Sequence, residues 1–305
     1  MKKYFCLAAL FIAALLLCAL FTFFREEKKN ELTKIDTLLK QYDLSEQADA
    51  KDVLTVGRRK QFPSLSEAVA EAKDGDVIVV FSGKYVESVH AANKTLYIIG
   101  ESRGECMLSY SNANYFSPPV EMGSGMLANM TVYAVHQEIE EGAVAKAYSL
   151  HVDFDISKNT QFQVIDVDFI NESYQTIGIG LRENFTLRFQ NCLFECKGDN
   201  NAFYCHDDPT REGSANQRLI VENCRFVNNG TNASTILIQS QEAPNSEILC
   251  EWNNNTVENR AGGELLATHL WKEKASSESG WLGLSFWKNA ENSNGNSLVE
   301  LNRTH

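Results

Sequence analysis

His151, Asp153 and Asp155 alternate with Val152, Phe154 and Ile156, so three groups able to hold a cation would project from one face of a strand. Asp166 and Asp168 repeat that spacing shortly afterwards. Closely spaced carboxylates suit Ca²⁺, which takes oxygen ligands from Asp and Glu; read structurally, the same residues form a solvated polar face. The densest titratable cluster in the middle of the chain is Tyr204-Cys205-His206-Asp207-Asp208. Its place after an apolar run makes His206 and Asp207 candidates for substrate contact, although His-Asp-Asp-Pro also reads as a turn. Beyond the N-terminal apolar run, Cys106, Cys192, Cys196, Cys205, Cys224 and Cys250 could pair as disulfides or stay as buried thiols. Cys192-x-x-x-Cys196 followed by Cys205-His206 lacks the paired spacing of a zinc site, so no metal is expected there.

One phrase keeps returning around these groups: an amide or carboxylate, two residues, then Phe or Val. It reads Asn129-Met130-Thr131-Val132, Asp166-Val167-Asp168-Phe169, Asn191-Cys192-Leu193-Phe194, Asn223-Cys224-Arg225-Phe226 and Asn254-Asn255-Thr256-Val257. Repetition at intervals of about 30 residues means stacked units, because one unit alone cannot bury its apolar face. The flanks Leu187-Arg188-Phe189, Leu219-Ile220-Val221 and Ile248-Leu249-Cys250 are short strand-like runs. A coil of short strands that returns an Asn to the same corner is a single-stranded parallel β-helix, an all-β fold; a β-sandwich is the competing architecture. Asn tolerates the left-handed conformation such corners need and can bond to the Asn of the next turn. On this register Cys192 and Cys224 lie one turn apart, and Asp166 becomes a corner residue rather than a cation ligand.

The chain has 305 residues and a formal net charge of −12. No basic footprint for nucleic acid is visible, and an anionic sugar would need a local Arg/Lys patch or a bridging cation. Met1-Lys2-Lys3 precedes an uncharged apolar run, Tyr4 to Phe24, about the ~20 residues that cross a bilayer as a helix. The run ends Ala19-Leu20-Phe21-Thr22-Phe23-Phe24, without the small-x-small pair of a signal-peptide cut. Residues 1–24 are therefore expected to be an uncleaved signal anchor, a single pass through the cell membrane with the rest of the chain extracellular; secretion after cleavage is the alternative. Residues 25–52 read as a charged linker or stalk, with Leu32, Ile35, Leu38 and Leu39 at helical spacing. Residues 53–305 are expected to form the β-helix, as a monomer.

The β-helix should open on a cap. Ser64 is an N-cap candidate with Glu67 at the third helical position, before Ala68-Val69-Ala70-Glu71-Ala72. Such a helix would shield the first strand edge. The run Ser64-Leu65-x-x-Ala68-Val69-x-x-Ala72-x-x-Gly75-Asp76-x-Ile78-x-Val80-x-x-Gly83-x-Tyr85-x-Glu87 resembles the start of pectin-lyase-like right-handed β-helices, most of all pectinesterases. Val164-Ile165-Asp166-Val167-Asp168-Phe169-Ile170-Asn171 and the stretch from Gln175 through Asn191-Cys192-Leu193-Phe194-Glu195 to Asp199 are similar to segments near that family's active site. Trp281-Leu282-Gly283-Leu284-Ser285-Phe286-Trp287-Lys288 looks like a damaged copy of its leucine-glycine-arginine-proline-tryptophan motif.

The resemblance implies an ester hydrolysis run by two aspartates, with glutamines for the oxyanion and an arginine orienting the nucleophile. Asp199 falls where the acid/base would be, and Gln175 near the oxyanion glutamine. Asn228 to Leu237, where the family keeps its nucleophile, holds no carboxylate, and Leu284 stands in the arginine's place. The resemblance thus implies a polysaccharide partner, pectin or a related uronate glycan, on a site lacking the standard nucleophile and arginine. A diverged carbohydrate esterase and a Ca²⁺-dependent polysaccharide lyase stay open as alternatives to a binding module. Ca²⁺ is the one cofactor considered, for the lyase alone, whose base could be Arg182, Arg188 or Arg225 by residue type; Arg182 is also a candidate substrate contact. Trp271, Trp281, Phe286 and Trp287 could stack on sugar rings or bury the last turn.

Overall fold

The computed structural model describes residues 2–50, 52–110, 118–135, 138–140, 143–144, 147–152, 161–207, 217–231, 233–239, 248–269, 288–291 and 297–301. The chain divides into two compact units, Met1–Ala50 and Lys51–His305.

The first unit is helix α1 (Lys2–Gln41) followed by the short α2 (Ser45–Ala50). Asp43 turns the chain between them at φ 56°, and the Leu44 amide donates back to the Leu39 carbonyl at 2.7 Å. Of the apolar positions at helical spacing, Ile35, Leu38 and Leu39 are buried and Leu32 is exposed. Leu16, Leu17, Leu20, Phe21, Phe23 and Phe24 are exposed as well. Among the described residues no helix is long and apolar enough to cross a membrane; of the expected anchor Tyr4–Phe24, the side chains up to residue 15 lie outside the described ones.

The second unit is a parallel β-helix with three faces. Face A carries Val53–Val56, Val77–Val80, Leu96–Gly100, the first part of Gly125–Ala134 and of Gln161–Asn171, Thr186–Gln190, Gln217–Glu222 and Ile248–Asn253, each parallel to the next. Face B carries Gly83–Val86, Cys106–Tyr110, the second part of those two long strands, Leu193–Cys196, Arg225–Asn228 and Asn255–Asn259. Face C is a seven-stranded parallel sheet of Val89–His90, Val120–Glu121, Leu150–Val152, Ile177–Leu181, Phe203–Asp207, Ile236–Gln239 and Leu266–His269. One turn of chain runs A, B, C and back to A. Past Asn255–Asn259, Ser297–Leu301 and Lys288–Glu291 add to face B as antiparallel strands.

The repeated phrase marks the corner from A to B. Asn129, Asp166, Asn191, Asn223 and Asn254 all sit at φ between 54° and 57°, the left-handed region that Asn and Asp tolerate best after glycine. Their side chains bridge turns: Asn129 Nδ2 donates to the Gly100 carbonyl at 2.8 Å and Asn191 Nδ2 to Asp166 Oδ1 at 3.1 Å. The residue closing each phrase points inward, and Phe169, Phe194 and Phe226 stack in a column, 5.5 and 4.8 Å between centroids. Cys192 and Cys224 are in-register neighbours and free thiols. The Cys192 amide donates to Cys224 Sγ at 3.4 Å, and burial, reinforced by Cys224, pushes the Cys192 thiol well above its usual range.

A second ladder lies at the corner from B to C. Asn171, Cys196, Asn228 and Asn259 stack in register, each five residues after a phrase-opening residue. The Asn171 amide is fully buried; its Nδ2 donates to the Ala147 and Gln175 carbonyls, both at 2.7 Å, while its Oδ1 accepts from the Ser173 and Tyr174 amides at 2.8 and 2.7 Å. The polar demands of a tight interior turn are met by one side chain.

Helix α3 (Leu65–Glu71) covers the first turn. Ser64 caps it, its side chain accepting from the Glu67 amide at 3.2 Å, as the capping spacing requires. Glu87 accepts from the Leu65 and Ser66 amides at 2.9 and 2.8 Å, and Lys94 Nζ donates to the Val69 and Ala70 carbonyls at 2.6 and 2.9 Å. The carboxylate thus meets the positive end of the helix and the ammonium its negative end. Leu65, Ala68 and Val69 face the core.

Outward positions on faces A and B carry ion pairs between turns, Arg188 with Glu222 at 2.6 Å and Arg225 with Glu258 at 2.8 Å, and Glu258 also meets Arg260, two residues on, at 2.7 Å. Burial opposes ionisation of Glu258, but its bonds to Arg225 and Arg260 outweigh it and hold the carboxyl below the usual carboxylate range. A depressed pKa gives stability that is present above the unfolded value and lost as pH falls through the folded one. Acidification from about pH 6 to 3 should therefore lower the urea midpoint more in the native chain than in Glu258→Gln. The Arg225 side chain is half exposed, so screening limits the difference to about 1 kcal/mol; equal slopes would refute the pair's contribution.

Candidate functional site on face C

Strand alternation sends Val89, Val120, Leu150, Ile177, Phe203 and Ile236 into the core and their neighbours outward. Parallel register then lines up His90, Glu121, His151, Gly178, Tyr204 and Leu237 across successive turns. Two positions along, Gly180 pairs with His206. His90 Nδ1 meets Glu121 Oε2 at 2.6 Å, and His151 Nδ1 meets Glu121 Oε1 at 3.2 Å. The bond from His151, helped by that from His90, holds the Glu121 carboxyl below its usual range although burial opposes this.

Rings continue the row. Tyr148 stacks on His151, 5.5 Å between centroids and 10° between planes, and Tyr174 lies 6.0 Å from Tyr148. Gly178 makes room for this: a Cβ there would stand 2.8 Å from the Tyr148 ring. Further along, Tyr204 and His206 lie 5.2 Å apart. All five rings are half-buried, each keeping part of its surface in solvent. Partly exposed tyrosine rings beside imidazoles can stack on the apolar faces of sugar rings while donating to and accepting from hydroxyls.

The expected site residues divide. His206 is in the row. Asp207 and Arg182 come to the same end of face C, because Leu181 pairs with Asp207 and Arg182 follows Leu181; the Asp207 side chain lies outside the described residues. Arg188 and Arg225 are engaged by carboxylates on faces A and B. Gln175 is 3% exposed and its Nε2 donates to Asn201 Oδ1 at 3.5 Å. Asn201 is equally buried, and its Nδ2 donates to Ser234 Oγ at 2.9 Å. An amide thus stacks on Gln175, and Asp199 sits exposed in the turn just before it.

His151 is engaged by Glu121, and Asp153 and Asp155 lie outside the described residues. Asp166 and Asp168 do not form a pair on one strand face, because the chain bends at Asp166. Asp168 instead accepts from Arg103 Nε at 2.9 Å, and Arg103 Nη1 donates to the Asn191 carbonyl at 2.7 Å. Among the described residues no three His, Cys, Asp or Glu side chains are grouped to hold a metal ion. Trp271, Trp281, Leu284, Phe286 and Trp287 lie outside the described residues.

Sequence reasoning missed His90, Glu121, Tyr148 and Tyr174. The available signal is slight: Val89-His90, Val120-Glu121 and Leu150-His151 each place a titratable residue after a buried aliphatic one.

No family model matches the chain, and no curated protein matches it in sequence. Solved structures to which it is similar include three pectin methylesterases. That from Aspergillus niger is 14% identical with a TM-score of 0.42, covering 75% of this chain and 94% of that one. The carrot enzyme is 14% identical with a TM-score of 0.39, covering 74% and 90%. PemA from Erwinia chrysanthemi is 12% identical with a TM-score of 0.40, covering 83% and 87%.

Proposed function

We propose that this β-helix binds polysaccharide along face C, presented outside the cell on an N-terminal membrane anchor. The observation that carries the reading is the set of partly exposed rings Tyr148, His151, Tyr174, Tyr204 and His206 on face C and the corners that lead into it. The rings come from three successive turns of the coil, which matches a polymer better than a single small ligand. The pectinesterase-like opening block makes methyl-esterified pectin the first polymer to test. The exposed apolar residues Leu16 to Phe24 support the anchor, which predicts that the protein stays with membranes through alkaline carbonate washing.

Binding is tested by retention in gels cast with pectins of graded methylation. Each lost ring contact is worth about 0.5–1.5 kcal/mol, so Tyr148→Ala and Tyr204→Ala should each weaken retention roughly 3- to 10-fold. Retention unaffected by either change would refute face C as the binding surface. The same samples, assayed for methanol, separate binding from turnover: release abolished by Asp199→Ala would make the protein an esterase, and retention without release a binding module.

A further inference from the structure

Beyond the ring row, face C begins with a second arrangement. Ser88 and His90 flank the buried Val89 and both project outward. Ser88 Oγ lies 3.1 Å from His90 Nε2, and His90 Nδ1 lies 2.6 Å from Glu121 Oε2. Hydroxyl, imidazole and carboxylate therefore stand in line, each on the correct ring nitrogen. We propose that Ser88, His90 and Glu121 form an acyl-transfer site for carboxylic esters.

Register accounts for only half of this arrangement. His90 and Glu121 are in-register partners, so their contact follows from stacking. The approach of Ser88 to the opposite nitrogen does not; it adds the nucleophile that a polar ladder has no need of. The carboxylate is fixed at both ends, since His151 holds Oε1 at 3.2 Å while His90 holds Oε2. Glu121 is thus a positioning residue that sets the His90 tautomer. The strand itself is anchored, with the Val89 amide donating to the Pro119 carbonyl at 2.8 Å. The His90 side chain is 49% exposed and Ser88 keeps part of its surface in solvent, so an ester can reach the pair, while the Glu121 side chain, 17% exposed, stays sheltered.

Ser88 has one hydroxyl proton and two acceptors. Besides His90 Nε2, the Pro118 carbonyl lies 2.5 Å from Oγ. Donating to Pro118 leaves the serine quiet; turned to His90, the same oxygen is activated without moving. In the forward step Ser88 Oγ bonds to the acyl carbon and its proton passes to His90 Nε2. The ester's alkoxy oxygen then leaves as the alcohol with that proton. Water attacks the acyl-serine, giving its proton to His90, and the carboxylic acid departs as Ser88 is reprotonated.

The test treats the full chain with a fluorophosphonate, whose phosphorus takes the serine oxygen as fluoride leaves, and locates the adduct by peptide mass. Expected is a single adduct on Ser88, absent in Ser88→Ala and formed at least tenfold more slowly in His90→Gln, which keeps the serine and its Pro118 bond. Glu121→Gln should lower the maximal labelling rate while leaving the half-saturating probe concentration unchanged; a merely structural role would move both. No adduct, an adduct on another residue, or labelling of Ser88 at the native rate in His90→Gln would each overturn the proposal. The result stands apart from retention on pectin, which reports the ring row alone.

Discussion

Replacing Phe194 with alanine should cost the β-helix about 3–5 kcal/mol, the range for emptying a buried aromatic site. Phe194 is the centre of the aromatic core. It stacks between Phe169 and Phe226 at 5.5 and 4.8 Å, and its edges meet Phe189 at 5.2 Å and Phe203 at 5.5 Å. No neighbour can move in to fill the space, because each ring belongs to a strand fixed by pairing on both sides. Phe194→Leu keeps much of the volume and should lose far less. Urea unfolding of the two variants checks the ordering; a loss below about 1 kcal/mol for alanine would show that the column is not packed as described.

The second large effect belongs to a polar residue. Asn171→Ala should cost about 3–5 kcal/mol with no cavity of comparable size, because it strands buried backbone groups at about 1–3 kcal/mol each. The Ser173 amide, the Tyr174 amide and the Gln175 carbonyl all depend on this one side chain. The same turn carries Tyr174 onto face C, so retention on pectin should fall in this variant even where it remains folded. Urea unfolding and pectin gels separate the two consequences. Unchanged stability would mean that the turn finds other partners.

The contrast between these two residues explains what could be read in advance. The column of phenylalanines is written in the repeated phrase, because one αL residue must open each A-to-B corner and the phenylalanine three places on must point inward. The second ladder obeys an equally strict spacing, but Cys196 takes one of its places, its Sγ donating to the Tyr174 and Asn200 carbonyls at 3.1 Å each, so the run of asparagines is broken. The capping box at Ser64 and Glu67 was legible because its physics spans three residues. His90, Glu121 and His151 were not: they lie about thirty residues apart on strands of two or three residues, and only the stacking of turns brings them into contact. Asp166 and Asp168 show the converse, an alternation read as a shared face across what is in fact a corner.

The two asparagine corners have a consequence for how this protein can change. From Gly125–Ala134 onward the A-to-B corner leaves at most two residues between strands, so a residue gained or lost there would throw the next strand out of register. The links into and out of face C are longer and differ in length, both before it (Asn171 to Ile177, Asn228 to Ile236, Ala134 to Leu150) and after it (Leu181 to Thr186, Asp207 to Gln217, Gln239 to Ile248). Insertions and deletions are therefore tolerated along the two borders of face C, beside its histidines and tyrosines. Selection can lengthen, shorten or recharge the rim of that surface while the coil beneath it stays the same.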